Sequence, residues 1–232
     1  IDETIFNKNK INTVINLTES SKLYVKKINI TGNNITIEEV LRNELIVDEG
    51  DALNNILLKK SINNIRSLNI FKKVNSSIED TAIKSEKIIN INVTEKATGE
   101  ISAGAGAGTS GVSTMFGINE NNFLGRGIKL NSNLSIGSES VKGLFSVVNP
   151  NYNNSDNDLI FSVESSTLDR LKDYGYKSSR YGFSLGTTFE HLDDFYITPR
   201  ISSFNENLET SSTASNSLKK QKGNYFDTKF SY

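Results

Sequence analysis

The chain has no cysteine, no tryptophan, one histidine, one methionine and two prolines in 232 residues. Without cysteine there is no disulfide framework and no thiolate-ligated zinc or iron–sulfur site. With His191 the only imidazole, a multi-histidine metal site and a histidine-based catalytic triad lack their residues. An excess of one charge is missing too: 26 basic and 27 acidic side chains leave a net charge of −1. That removes the basic footprint of a nucleic-acid binder, so no nucleic-acid partner is expected. No apolar run approaches about 18 residues, which excludes a membrane-spanning helix but not a β-barrel, whose lipid-facing residues hide in alternation. The chain opens on Ile1-Asp2-Glu3-Thr4 without a starting Met or an apolar leader, and it is expected to be a piece of something longer.

What is present changes character near Glu95-Lys96. Before that point, strand and helix signals alternate. Leu23, Val25, Ile28 and Ile30 predict a strand whose apolar face is kept by a register slip at Lys26-Lys27. Gly32-Asn33-Asn34 is turn chemistry, and Thr36 with Glu39 predicts a capping box opening a short helix through Val40, Leu41, Glu44 and Leu45. A second helix is predicted from about Asn54, with Ile56, Leu57, Ser61, Ile62, Ile65 and Leu68 at three- and four-residue steps. Strands over 70–78 and 83–93 complete a β-α-α-β-β order, enough for one small α+β core over 21–96.

From residue 97 onward almost every segment alternates. Ile128, Leu130, Leu134 and Ile136 oppose Lys129, Asn131, Asn133 and Ser135, and Tyr181, Phe183, Leu185, Thr187 and Phe189 oppose Gly182, Ser184, Gly186, Thr188 and Glu190. Phe195, Ile197, Pro199 and Ile201, then Phe226, Thr228, Phe230 and Tyr232, repeat the pattern. A soluble sandwich also alternates. Long runs, Tyr and Phe near the strand ends and the lack of helix signals favour antiparallel transmembrane strands instead. Eight are expected, near 99–108, 111–120, 127–138, 140–149, 158–168, 178–191, 193–206 and 223–232.

Several segments resemble a known family. Gly32-Asn33, Glu49-Gly50-Asp51, the run Ile65 to Val74 and Asn92-Val93-Thr94-Glu95-Lys96 resemble the POTRA domain of outer-membrane assembly proteins. Asn122, Phe123, Leu124, Gly125 and Gly127 resemble the second-to-third strand turn of the BamA-like barrel. The resemblance implies about eight of roughly sixteen barrel strands over 97–232, because the family's Val/Ile-Arg-Gly-Phe/Tyr loop motif is absent here. Closure as a small eight-stranded barrel is the alternative. Residues 1–20, with Thr13 to Leu17, would be the tail of a preceding POTRA repeat.

The run Ile101, Ser102, Ala103, Gly104, Ala105, Gly106, Ala107 and Gly108 has little to pack across strands. The residues alone allow a thin strand that accommodates curvature or a seam that opens sideways. The resemblance implies the second, a lateral gate that inserts unfolded outer-membrane clients into the lipid bilayer from the periplasmic side. Phe71, Lys72, Lys73 and Val74 lie on a strand expected at the sheet margin, where an extended client can pair and the lysines discourage aggregation. The resemblance also places Glu49, with Gly50 and Arg42, at a contact with an outer-membrane lipoprotein resembling BamD.

No residues propose an enzyme, a cofactor or a metal. Gly104 to Gly108 superficially matches a phosphate loop, but no helix follows. His191 with Asp193 and Asp194 reads as a hydrated turn. Two alternatives to the insertase remain open: a two-partner secretion translocator and a passive porin-like barrel.

Overall fold

The computed structural model describes residues 2–7, 10–14, 21–108, 111–192, 195–212, 214, 216–217 and 223–232. Strands β1 (Asp2–Asn7) and β2 (Lys10–Val14) form an antiparallel hairpin. The rest of the run Thr13 to Leu17 lies outside the described residues.

The next unit comprises β3 (Tyr24–Thr31), α1 (Glu38–Arg42), α2 (Asn55–Ser67), β4 (Phe71–Asp80) and β5 (Glu86–Glu95). Its sheet order is β3-β5-β4, with β5 parallel to β3 and antiparallel to β4. Parallel neighbours need a long crossover, and α1 and α2 supply it. The register of β3 shifts between Val25 and Lys27, which turns Val25 and Ile28 to the same buried face. They meet Leu41 from α1, Leu58, Ile62 and Ile65 from α2, and Ile89, Ile91 and Val93 from β5 in one core. Asn90, on the other face of β5, bonds to Asn29 and Glu79 instead.

The start of α1 and the buried stripe of α2 differ from expectation, whereas α2 begins at Asn54 as expected. α1 begins at Glu38 behind Ile37, which makes no side-chain cap, so the capping box from Thr36 is not formed. The side chain of Thr36 is held elsewhere, by a residue more than eighty positions away. α1 also ends at Arg42, leaving Glu44 and Leu45 in the turn after it. In α2 the cap is Asn54, whose Oδ1 accepts from Ile56 N at 2.9 Å and Leu57 N at 3.3 Å. Starting there, the helix puts Leu58, Ser61, Ile62 and Ile65 on the buried stripe and turns Ile56 and Leu57 outward.

Eight further strands form one antiparallel meander: β6 (Gly99–Gly108), β7 (Gly111–Phe123), β8 (Ile128–Gly137), β9 (Ser140–Asn149), β10 (Asp158–Arg170), β11 (Tyr176–Leu192), β12 (Phe195–Thr210) and β13 (Gly223–Ser231). A single turn of helix, α3 (Leu171–Tyr174), joins β10 to β11. Among the described residues each of these strands pairs only with its chain neighbours, so β6 and β13 are the two edges of the sheet.

The register separates two faces. On one lie Phe161, Val163, Phe183, Leu185, Ile201, Phe226 and Phe230, all exposed. On the other, ion pairs and hydroxyls are stacked across strands: Glu139 with Arg170 at 3.4 Å, Glu164 with Arg180 at 3.2 Å and Ser178 Oγ on Glu206 Oε1 at 2.7 Å. The Arg180 guanidinium sits 3.5 Å from the centre of the Phe204 ring. The polar face encloses a recess of about 720 Å³ bordered by Gly108 of β6 and Glu206 of β12, so the sheet is concave toward its wet side. An apolar convex face and a charged concave one invert the pattern of a soluble domain. They suit a wall between lipid and water.

Candidate functional site

Three arrangements carry functional potential: the joint between the α+β domain and the wall, the edges of the small sheet, and the free edge of β6.

At the joint, residues 124–127 connect β7 to β8. Leu124, Gly125 and Gly127 have φ of 57°, 71° and 66°, left-handed values that glycine adopts without strain. Asn122 is buried and organises the turn: its Oδ1 accepts from Gly127 N at 2.8 Å, and its Nδ2 donates to Thr36 Oγ1 at 2.9 Å. Ile37 N donates to Gly125 O at 2.9 Å. A β-carbon on Gly125 would lie 2.1 Å from Ile35 O, so the approach of the two segments requires glycine. Phe123 and Leu124 remain exposed.

The loop that receives this turn is held by Glu95. Its carboxylate accepts from the N–H groups of Asn34, Ile35 and Thr36, the last at 2.7 Å. Burial alone would raise its pKa, but the hydrogen bonds from Thr36, Ile35 and Asn34 together outweigh it and hold the carboxyl below the usual glutamate value. Glu44, on the same side of the domain, goes the other way. Burial raises its pKa, Lys129 at the start of β8 offsets part of the rise, and Asp158 adds to it. A groove of about 290 Å³ runs between α1 and the wall, lined by Glu39, Asn43, Arg126, Asn149 and Tyr152 among others.

The small sheet has two edges, β3 and β4. On β4, Phe71 and Val74 point into the core, and Lys72 and Lys73 are exposed. Arg66 Nη2 donates to Val74 O at 2.9 Å. Along β3, Arg42, Glu49 and Gly50 are brought together. Glu49 Oε1 accepts from Ile28 N at 3.0 Å, Arg42 Nη2 donates to Ile28 O at 3.2 Å, and Arg42 Nη1 stands 3.9 Å from Glu49 Oε1. Gly50, with φ of 98°, donates its N–H to Val25 O at 2.7 Å.

β6 pairs with β7 alone, from Gly99↔Glu120 to Gly108↔Gly111. Gly104, Gly106 and Gly108 share the face of Ser102 and oppose Met115, Ser113 and Gly111, whereas Ile101, Ala103, Ala105 and Ala107 face the convex side. By contrast, β12 and β13 are joined by Phe204 stacked on Tyr225 at 5.1 Å. The first strand therefore has little beyond backbone hydrogen bonds to hold it.

Among the described residues no group of three or more His, Asp or Glu side chains could hold a metal. His191 is not in a turn: it is the exposed residue at the register shift near the end of β11, and Asp193 and Asp194 lie outside the described residues.

Residues 23–96 match the model of the POTRA family, described as a surface antigen variable number repeat, and residues 122–232 match that of the Omp85 superfamily domain. The chain carries a POTRA domain followed by an Omp85 superfamily domain. It is 27% identical over 164 residues to the outer membrane protein assembly factor BamA of Neisseria meningitidis, covering 70% of this chain and 21% of that protein. Against BamA of Neorickettsia risticii the figures are 28% over 123 residues, 52% of this chain and 16% of the relative. In fold, it superposes on BamA from Haemophilus ducreyi lacking POTRA domains 1–3 with a TM-score of 0.73 at 23% identity, covering 99% of this chain and 47% of that one. CdiB from Acinetobacter baumannii follows with a TM-score of 0.58 at 17% identity, over 85% of this chain and 40% of that chain.

The chain thus carries a POTRA domain and eight outer-membrane wall strands that match part of the BamA fold, with the POTRA domain in the periplasm. Since β7 enters the turn at 124–127 beside Thr36, that turn is at the periplasmic end. Gly108 and Gly111, paired at the other end of β6 and β7, lie toward the outer side.

Proposed function

We propose that this chain takes part in inserting β-barrel proteins into the outer membrane, with the POTRA sheet receiving extended clients and β6 acting as a lateral gate. The observation that carries this reading is the free edge of β6, with glycine on one face and alanine on the other. An edge held mainly by its backbone exposes an unpaired row of N–H and C=O groups once it separates, and that row is a template for an incoming strand. No nucleotide is needed, because the free energy of client folding in lipid drives the step. The names of the relatives, assembly factors of outer-membrane proteins, support the same reading.

On the POTRA side, the strand around Phe71, Lys72, Lys73 and Val74 offers the client edge. The exposed part of Glu49, with Gly50 and Arg42, offers a contact for a lipoprotein partner resembling BamD. The likeness in fold to CdiB favours one second reading, export of a polypeptide through the lumen.

The test is insertion of a urea-denatured outer-membrane barrel protein into liposomes containing the protein that carries this chain. Faster folding of the client supports the insertase. Passage of an unfolded polypeptide across the bilayer without insertion supports secretion, and steady client-independent conductance supports a passive barrel.

A further inference from the structure

A three-stranded sheet has two edges, and a domain that receives extended chains by strand addition must decide which edge they join. In this POTRA domain the two edges are not equivalent. β5 is central, so β3 and β4 both have an outward side that no strand covers.

On β3 that side is occupied from within. In a parallel pairing, the N–H and C=O of one residue point the same way and alternate residues point outward. Val25 points outward, and both of its groups are taken: its N–H donates to Asp51 O at 2.8 Å, and its carbonyl accepts from Gly50 N at 2.7 Å. After the register shift, Ile28 points outward. A single N–H has one hydrogen to give, and that of Ile28 goes to Glu49 rather than to β5. Its carbonyl accepts from Arg42. The carboxylate and the guanidinium thus stand where the carbonyl and N–H of a neighbouring strand would be. Tyr24 adds a bridge to Ala52. Alternation leaves Ile30 as the next outward residue, just before the turn at Gly32, too short a stretch to seat a strand.

β4 differs. Arg66 covers the carbonyl of Val74, and among the described residues no side chain hydrogen-bonds to the backbone of Asn75–Asp80. Ser76, Ser77 and Ile78 are exposed there.

We infer that Arg42 and Glu49 form a plug that mimics a neighbouring strand on the β3 edge, closing it to extended polypeptides and confining strand addition to the β4 edge from Asn75 onward. The inference rests on the proposal that the POTRA sheet receives clients. It gives Glu49 a role internal to the domain, distinct from any contact with a lipoprotein, and shifts the accepting stretch of β4 beyond Val74. The accepted ligand is an extended segment of alternating polar and apolar residues, recognised through its main chain.

Because the chain has no cysteine, disulfide trapping reports each edge separately. Single cysteines are placed at exposed Ser77 on β4 (Ser77→Cys) or exposed Lys27 on β3 (Lys27→Cys) in the full chain in detergent micelles. The probe is a synthetic peptide of residues 223–232 with Thr228→Cys. In the otherwise unaltered chain, trapping is expected at Ser77→Cys and only background at Lys27→Cys. Adding Glu49→Ala with Arg42→Ala should raise trapping at Lys27→Cys about tenfold, since main-chain pairing supplies the affinity in strand addition. Glu49→Gln with Arg42 retained should stay near background, because the amide oxygen still accepts from Ile28 although the charge that a partner would recognise is gone. Retained far-ultraviolet circular dichroism shows that each variant is folded, and Glu49→Ala alone serves if the double variant is not. Trapping at Lys27→Cys that is already equal to Ser77→Cys in the unaltered chain, or that stays at background without the plug, overturns the inference. Absence of trapping at Ser77→Cys throughout overturns instead the client-receiving reading on which it rests.

Discussion

Asn122 donates through Nδ2 to the hydroxyl of Thr36, 2.9 Å away and 86 residues distant in sequence. That contact ties the periplasmic turn of the wall to the loop ahead of α1. The other end of the same amide holds Gly127, so one side chain both shapes the turn and docks it.

Replacing Asn122 with alanine leaves the Gly127 N–H without its acceptor and Thr36 without its donor. Loss of a buried hydrogen bond of this kind costs about 1–3 kcal/mol. The expected result is faster amide exchange at Gly127 and Ile37 in the Asn122→Ala protein. Asn122→Asp retains the acceptor for Gly127 and should protect that amide while still loosening the contact with Thr36.

Gly125→Ala adds a β-carbon 2.1 Å from Ile35 O at a φ of 71°. The left-handed conformation alone costs an alanine about 1–2 kcal/mol. Since backbone cannot yield as a side-chain tip can, the turn should lift from the POTRA loop. Broadened distances between spin labels on α1 and β8 would register the separation, and unchanged distances would contradict it.

Two glutamates give the joint opposite responses to acid. The Glu95 pKa is lowered in the folded domain, so its contribution is complete above the ordinary glutamate value and lost as pH falls through the lower folded value. Glu95→Gln should flatten that part of the acid unfolding curve of the POTRA domain. The Glu44 pKa is raised, chiefly by burial, so the folded state binds the proton more tightly and stability declines as pH rises from the ordinary value to the raised one. Glu44→Gln should remove this decline and make the domain more resistant to urea at neutral pH. Lys129→Ala, which deletes the offsetting charge, should have the reverse effect. Denaturant midpoints across pH 3–8, read separately for each variant, check both signs.

Gly106→Val places a branched side chain on the concave face of β6, where the nearest atom is the hydroxyl of Ser113 at 3.9 Å. There is room, and valine favours a strand over glycine by up to about 1 kcal/mol. β6 should therefore hold β7 more firmly. If β6 is the gate, client insertion into liposomes slows while the barrel itself becomes harder to unfold; an unaltered insertion rate with a stiffer strand argues against a gate at this position.

Period was the most legible property of the sequence. Alternation such as Tyr181 to Phe189 survives any tertiary context in which one face meets lipid; every expected wall strand is present, and the apolar faces expected at 128–136, 181–189, 195–201 and 226–230 lie on one side of the sheet. The slip at Lys26-Lys27 was legible for the same reason, because only a shift keeps Val25 and Ile28 on one side. Side chains that act across long sequence distances were not. Thr36 has the local appearance of a helix cap, yet a buried amide from a turn beyond residue 120 claims its hydroxyl. Glu49 looks like solvent-facing loop chemistry until Ile28 is brought beside it. Leu57 fits a helical stripe in sequence, and only the position of the Asn54 cap shows that Leu58 occupies the stripe instead. His191 was misplaced because β11 continues past it through a register shift that strict alternation does not anticipate.

The glycine-inside, alanine-outside makeup of β6 has a consequence for selectivity. From Ser102 to Gly108 the strand presents neither bulk nor charge, so if β6 is the gate that stretch cannot discriminate among visitors by their residues. It compares only the spacing of their peptide groups, and on that criterion one rim can greet many different sequences alike.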